Sequence, residues 1–153
     1  ETIKILSAHT VSCNLQSTTR DGVLEEMVSL LSNSGKVHDI KSVFADVKER
    51  EDVMSTGLER GVAIPHAKTN GVDSICLAIG ISKTGVNFGA SDGKPTNLFV
   101  MVASPKKNAS PHLQTLAAIS GALRSENVLN SVINATEPQE VVEILTKACS
   151  SSK

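Results

Sequence analysis

Aromatic side chains are nearly missing from this sequence: Phe44, Phe88 and Phe99 stand alone, with no Trp and no Tyr. Stacking of nucleic-acid bases on an aromatic platform is thereby disfavoured. An excess of one charge sign is missing as well, since 15 Lys and Arg are interspersed with 16 Asp and Glu for a formal net charge of −1. No broad basic face is expected for nucleic acid or anionic lipid. Long hydrophobic runs are absent: no stretch approaches the roughly 20 apolar residues of a membrane span, and no charged-then-apolar signal segment opens the chain. Cysteine is scarce and unpaired in pattern, with Cys13, Cys76 and Cys149 odd in number and far apart. That excludes a disulfide framework and suits a reducing compartment. The expectation is a soluble, cytoplasmic protein with no nucleic-acid partner and no membrane insertion.

What is present fits one domain with a real core, because chains of this length bury roughly 70% of the surface they expose when unfolded. The expected domain covers residues 1–153, with 150–153 as a flexible serine-rich tail. A start at Glu1 rather than Met leaves room for a longer parent chain. Residues 10–15 alternate, with Val11, Cys13 and Leu15 on one face of a strand. Thr18 with Asp21 three residues on predicts a helix start, followed by Val23, Leu24, Met27, Leu30 and Leu31 at helical spacing as far as Gly35. A second stripe, Ile40, Val43, Phe44 and Val47, leads to the charged run 48–52. Ser55-Thr56-Gly57 then turns the chain into a strand ending at His66, and Asn70-Gly71 marks the next turn.

Residues 74–81 predict a strand with Ile75, Leu77, Ile79 and Ile81 on one face and small residues on the other. The run 98–103 is apolar on both faces, as a central strand covered from two sides must be. The remainder reads as three helices, the last opened by Thr136 with Gln139 three residues later. Strands in the middle and helices at both ends predict an α/β sandwich.

Within this frame one run is distinctive, Gly61-Val62-Ala63-Ile64-Pro65-His66-Ala67-Lys68. Small and β-branched residues suit a buried strand, and Pro65, lacking an amide hydrogen, belongs at an edge or an end. His66 is thus expected to be presented at the strand's end, aimed by the restricted backbone of the proline before it. A second histidine, in Ser110-Pro111-His112-Leu113, reads as sitting in the first turn of a helix, after an N-cap serine and a proline at the first helical position. Unpaired amides and the helix dipole there favour an anion and a neutral imidazole. Either histidine alone is better explained by a local hydrogen bond. Together with Arg50, whose guanidinium can grip phosphate in bidentate fashion, they suit phosphoryl transfer. A metal centre is the competing chemistry, but no third ligand stands at zinc-like spacing and neither His-Glu-x-x-His nor Cys-x-x-Cys occurs.

Arg50-Glu51, Ser55-Thr56-Gly57, the Gly61 to His66 run and Pro111-His112-Leu113 resemble the enzyme IIA domain, fructose/mannitol type, of the bacterial phosphoenolpyruvate-dependent sugar phosphotransferase system. The resemblance covers nearly the whole chain. It implies a three-layer α/β sandwich, a mixed β-sheet with helices on both faces. It implies that His66 takes a phosphoryl group from phosphorylated HPr and passes it to an enzyme IIB domain, with a membrane EIIC permease as a further partner through IIB, while His112 and Arg50 steady the charge. No metal or cofactor is required. The family commonly reads Thr-Gly-Ile-Gly-Asn-Gly where this chain has Thr56-Gly57-Leu58-Glu59-Arg60-Gly61. Glu59 is therefore expected to bring a carboxylate toward the phosphate, with Arg60 offsetting it. The alternatives are a nitrogen-related regulatory relative, which binds target proteins according to its phosphorylation state, and an inert binding module in which Glu59 has spoiled transfer.

Overall fold

A computed structural model describes residues 6–53, 57, 59–107 and 110–151, and of residues 59, 110–113 and 149–151 the backbone alone. The turn expected at Ser55-Thr56, the Glu59 carboxylate, the His112 imidazole and residues 152–153 lie outside what is described.

Five strands form one mixed sheet: β1 (Val11–Ser12), β2 (Val62–Ala63), β3 (His66–Lys68), β4 (Cys76–Val86) and β5 (Thr96–Ser104). The order is β1-β4-β5-β2, and β3 also pairs with β5. β4 runs antiparallel to β5, whereas β1 is parallel to β4 and both β2 and β3 are parallel to β5. Among the described residues five α-helices cover it: α1 (Arg20–Leu31), α2 (Ile40–Val53), α3 (Ser110–Leu123), α4 (Glu126–Ile133) and α5 (Pro138–Ser151). The expected sandwich with helices on both faces is what the chain adopts.

Strand alternation divides the core in two. Leu77, Ile79, Ile81, Leu98, Val100 and Val102 pack with the residues of α3, α4 and α5. Cys76, Ala78, Phe99, Met101 and Ala103 pack with α1 and α2. β5 is apolar on both faces because it lies between β4 and the β2–β3 edge and under both layers. The smaller residues of β4 face α1, whose Met27 and Leu31 take up the space. Cations from the sheet side cap helix ends, where carbonyls lack partners and the dipole favours positive charge. Lys83 Nζ donates to the carbonyls of Ile133 and Ala135 at 2.9 and 3.0 Å, closing α4.

Several sequence expectations shift. Only Val11 and Ser12 of the 10–15 segment join the sheet; the chain bends at residues 13–14, which leaves Cys13 in one core and Leu15 in the other. α1 is capped by Thr19, not Thr18: the Thr19 side chain accepts the Gly22 amide. α5 begins on Pro138, which suits the first helical position, and it is Glu140 rather than Gln139 that reaches back to the Thr136 amide, at 3.3 Å.

Candidate functional site

His66 does not end a strand. It opens β3, half-buried, and the same offset of 36 residues separates Val62 from Leu98 and His66 from Val102. β2 and β3 are therefore two halves of one edge strand interrupted at Pro65. The proline removes one amide donor but keeps its carbonyl, which accepts the Val102 amide at 3.0 Å, so the ladder resumes without slipping.

The imidazole is oriented from within its own strand, with Nδ1 lying 2.8 Å from the Ile64 carbonyl oxygen. A carbonyl only accepts, so Nδ1 carries the proton and the lone pair of the neutral ring resides on Nε2. By the period of two, His66 shares a face with Val62 and Ile64, the face covered by α3 to α5.

α3 follows β5 after five residues, so it runs back antiparallel to β5 and to the edge strand beside it. Its last residue, Leu123, accepts a 2.7 Å hydrogen bond through its carbonyl from the Arg60 guanidinium, just before β2. From Leu123 back to His112 is about 16 Å of helix at 1.5 Å per residue. From Gly61 to His66 is about 17 Å of strand. The two spans match in length, and Arg60 joins the end of α3 to the start of the edge strand.

Arg50 lies in the last turn of α2, three residues beyond buried Val47 and next to Glu51, which is only 2% exposed. α2 packs against β3 from the other layer, the side of Ala63 and Ala67. The elements carrying Arg50 and His112 thus flank the strand of His66 from opposite sides.

The Arg60 guanidinium donates to the end of α3; the Glu59 carboxylate that it was expected to offset lies outside the described residues. The Arg60 backbone is left-handed, φ 64°, and its amide donates to Asp92 Oδ2 at 3.2 Å. Amides of Lys94 and Arg60 hold the Asp92 carboxyl below the usual carboxylate range. A left-handed residue here explains why Asn suits the position, since Asn adopts that conformation readily. Beside it, Val62, Ile64 and Leu123 floor a groove of about 380 Å³ with Arg60 and Arg124 on its rim. Sequence reasoning missed the Ile64 carbonyl and Asp92. The first is backbone, signalled only by the proline that follows it; the second sits in a turn 32 residues from Arg60.

An imidazole with its Nδ1 proton held and Nε2 nucleophilic can accept an electrophilic group in line with the ring. Among the described residues no helix is long and apolar enough to cross a membrane. The family model for the phosphoenolpyruvate-dependent sugar phosphotransferase system, EIIA 2, matches residues 4–148. The chain is 33% identical over 144 residues to the PTS system fructose-specific EIIABC component of Bacillus subtilis, covering 94% of this chain but only 23% of that protein. It is 33% identical over 137 residues to the PTS system fructose-specific EIIA component of Haloferax volcanii, covering 90% of this chain and 89% of that one. The crystal structure of nitrogen regulatory protein IIA-Ntr from Neisseria meningitidis superposes with a TM-score of 0.86 at 29% identity, over 94% of this chain and 97% of that. With the fold, the Ile64-Pro65-His66 geometry and these likenesses in agreement, the chain belongs to the type 2 EIIA family of the phosphoenolpyruvate-dependent sugar phosphotransferase system.

Proposed function

We propose that this domain is a cytoplasmic phosphoryl carrier whose His66 accepts a phosphoryl group from phosphorylated HPr and donates it to an enzyme IIB domain, serving uptake of a fructose- or mannitol-type sugar through an EIIC permease. The hydrogen bond from His66 Nδ1 to the Ile64 carbonyl carries the reading, because it leaves Nε2 as the nucleophile. In the accepting step the bond between phosphorus and the donor's nitrogen breaks as the bond from phosphorus to Nε2 forms. The proton stays on Nδ1, donated to the Ile64 carbonyl, which stabilises the positive ring. His112, from the amide-rich start of α3, and Arg50, from the end of α2, are the proposed stabilisers of the phosphoryl oxygens. Positioning and charge account for the chemistry without a metal or cofactor from this chain.

The second reading is regulatory: binding of other proteins according to the phosphorylation state of His66. It is favoured by the likeness to the Neisseria IIA-Ntr structure, the nitrogen regulatory protein. Incubation with enzyme I, HPr and phosphoenolpyruvate is expected to place an acid-labile phosphate on His66, and His66→Ala to abolish it. Label mapped to another residue, or no label with an active donor mixture, would overturn the carrier reading. Discharge onto a IIB domain separates the two: rapid transfer supports transport, and a stable phosphoprotein supports regulation.

A further inference from the structure

We propose that Arg60 is a positioning residue that sets the axial seat of α3 against the edge strand, and with it the separation between His66 and the first turn of α3. The proposal rests on the phosphoryl-carrier reading and extends it to a residue outside the reacting centre.

Three observations carry it. Arg60 is the one non-glycine among the described residues with positive φ. Such a conformation persists where the surroundings hold it, and it recurs near functional sites. Here the holding is visible at both ends of the residue, the amide on Asp92 Oδ2 and the guanidinium on the Leu123 carbonyl. The second bond ties the last residue of α3 to the turn entering β2. Because α3 runs antiparallel to the edge strand and the two spans match, a slide of the helix at the Leu123 end becomes an equal slide at the His112 end. Misplacement by about 1 Å is enough to slow a transfer reaction a hundredfold.

The pin also sits where the helix dipole favours a cation, and the contact is partly buried. A plain helix cap would contribute to stability alone. A positioning residue in addition changes the rate of transfer through His112, which is what the test separates.

Arg60→Gly accepts the backbone conformation and removes the guanidinium; Arg60→Lys keeps a donor for the Leu123 carbonyl. With phospho-HPr as donor, Arg60→Gly is expected to melt as a folded protein and lose about tenfold in kcat with KM little changed, and Arg60→Lys to recover most of that loss. In a His112→Ala background the same Arg60→Gly change is expected to cost less than about twofold, the signature of two residues acting as one unit. A folded Arg60→Gly protein with wild-type kcat would overturn the proposal, as would an undiminished loss in the His112→Ala background. If Arg60→Gly fails to fold, Arg60→Asn takes its place; failure of both would assign Arg60 to stability alone and equally overturn it. A wild-type domain that accepts no phosphate sinks the carrier reading itself, an outcome distinct from all of these.

Discussion

Nδ1 of His66 and the carbonyl oxygen of Ile64 stand 2.8 Å apart across a single proline, so the strand that carries the imidazole also selects its tautomer. The phosphoryl group is therefore expected on Nε2. Phosphorus-31 and nitrogen-15 NMR of the phosphorylated domain reads this directly: coupling to the Nδ1 resonance would contradict the assignment. His66→Gln, which retains an amide but no ring nucleophile, is expected to take up no label while melting within a few degrees of the wild type, about the shift a 1 kcal/mol change produces in a chain of this size.

The start of α1 offers a sharper contrast. Thr19 Oγ1 accepts the Gly22 amide at 3.1 Å, whereas exposed Thr18 lies one residue outside the cap. Thr19→Ala is expected to lower stability by about 1 kcal/mol. Thr18→Ala should change it by less than about 0.5 kcal/mol. Urea midpoints of the two variants measured side by side decide between the two threonines.

That one-residue ambiguity illustrates what the sequence could and could not say. β5 was legible because Leu98 to Ala103 is apolar on both faces, and the burial of all six follows from helices above and below. The two-faced pattern of Leu77, Ile79 and Ile81 against Cys76, Ala78 and Gly80 was legible for the same reason. His66 was found because a proline precedes it at the end of an apolar run. Its place within the strand was not, since Pro65 reads as a terminator and only the carbonyl bond to Val102 shows that pairing continues. The contact of Arg60 with Leu123 joins residues 63 apart through a backbone acceptor, which carries no side-chain signature. His112 and Arg50 were legible as phosphate-binding candidates at helix ends; that their helices lie in opposite layers about the sheet required the topology.

Gly80 and Gly121 should respond oppositely to alanine. A methyl at Gly80 would come within 2.5 Å of Met27 Sδ and 2.8 Å of Leu15 Cδ1, inside the closely packed layer under α1. Gly80→Ala is expected to destabilise by about 1–3 kcal/mol through overpacking. At Gly121, inside α3, nothing lies within 4 Å of the added atom. Gly121→Ala is expected to stabilise by about 0.5–1 kcal/mol, because alanine loses less backbone freedom in a helix than glycine does. Thermal melting of both proteins checks the pair, and a gain at Gly80 would mean that α1 stands farther from the sheet than described.

The Cys76 thiol at the start of β4 is buried, 1% exposed. Burial pushes its pKa up from the ordinary 9.0 to about 11, with Lys36 pulling slightly the other way. Between those values the folded protein holds a proton that the unfolded chain has released, so stability falls as pH rises. The contribution is fully present below pH 9 and is lost on the way to pH 11; two pKa units correspond to about 2–3 kcal/mol. Urea midpoints at pH 8 and pH 10.5 are expected to drop more for the wild type than for Cys76→Ala, in which this titration is gone. Lysines and other groups titrate in both proteins and cancel in the difference. An equal drop in the two would show that the thiol ionises in the folded state as easily as in the unfolded one, contrary to its burial between β5 and the α1 and α2 layer.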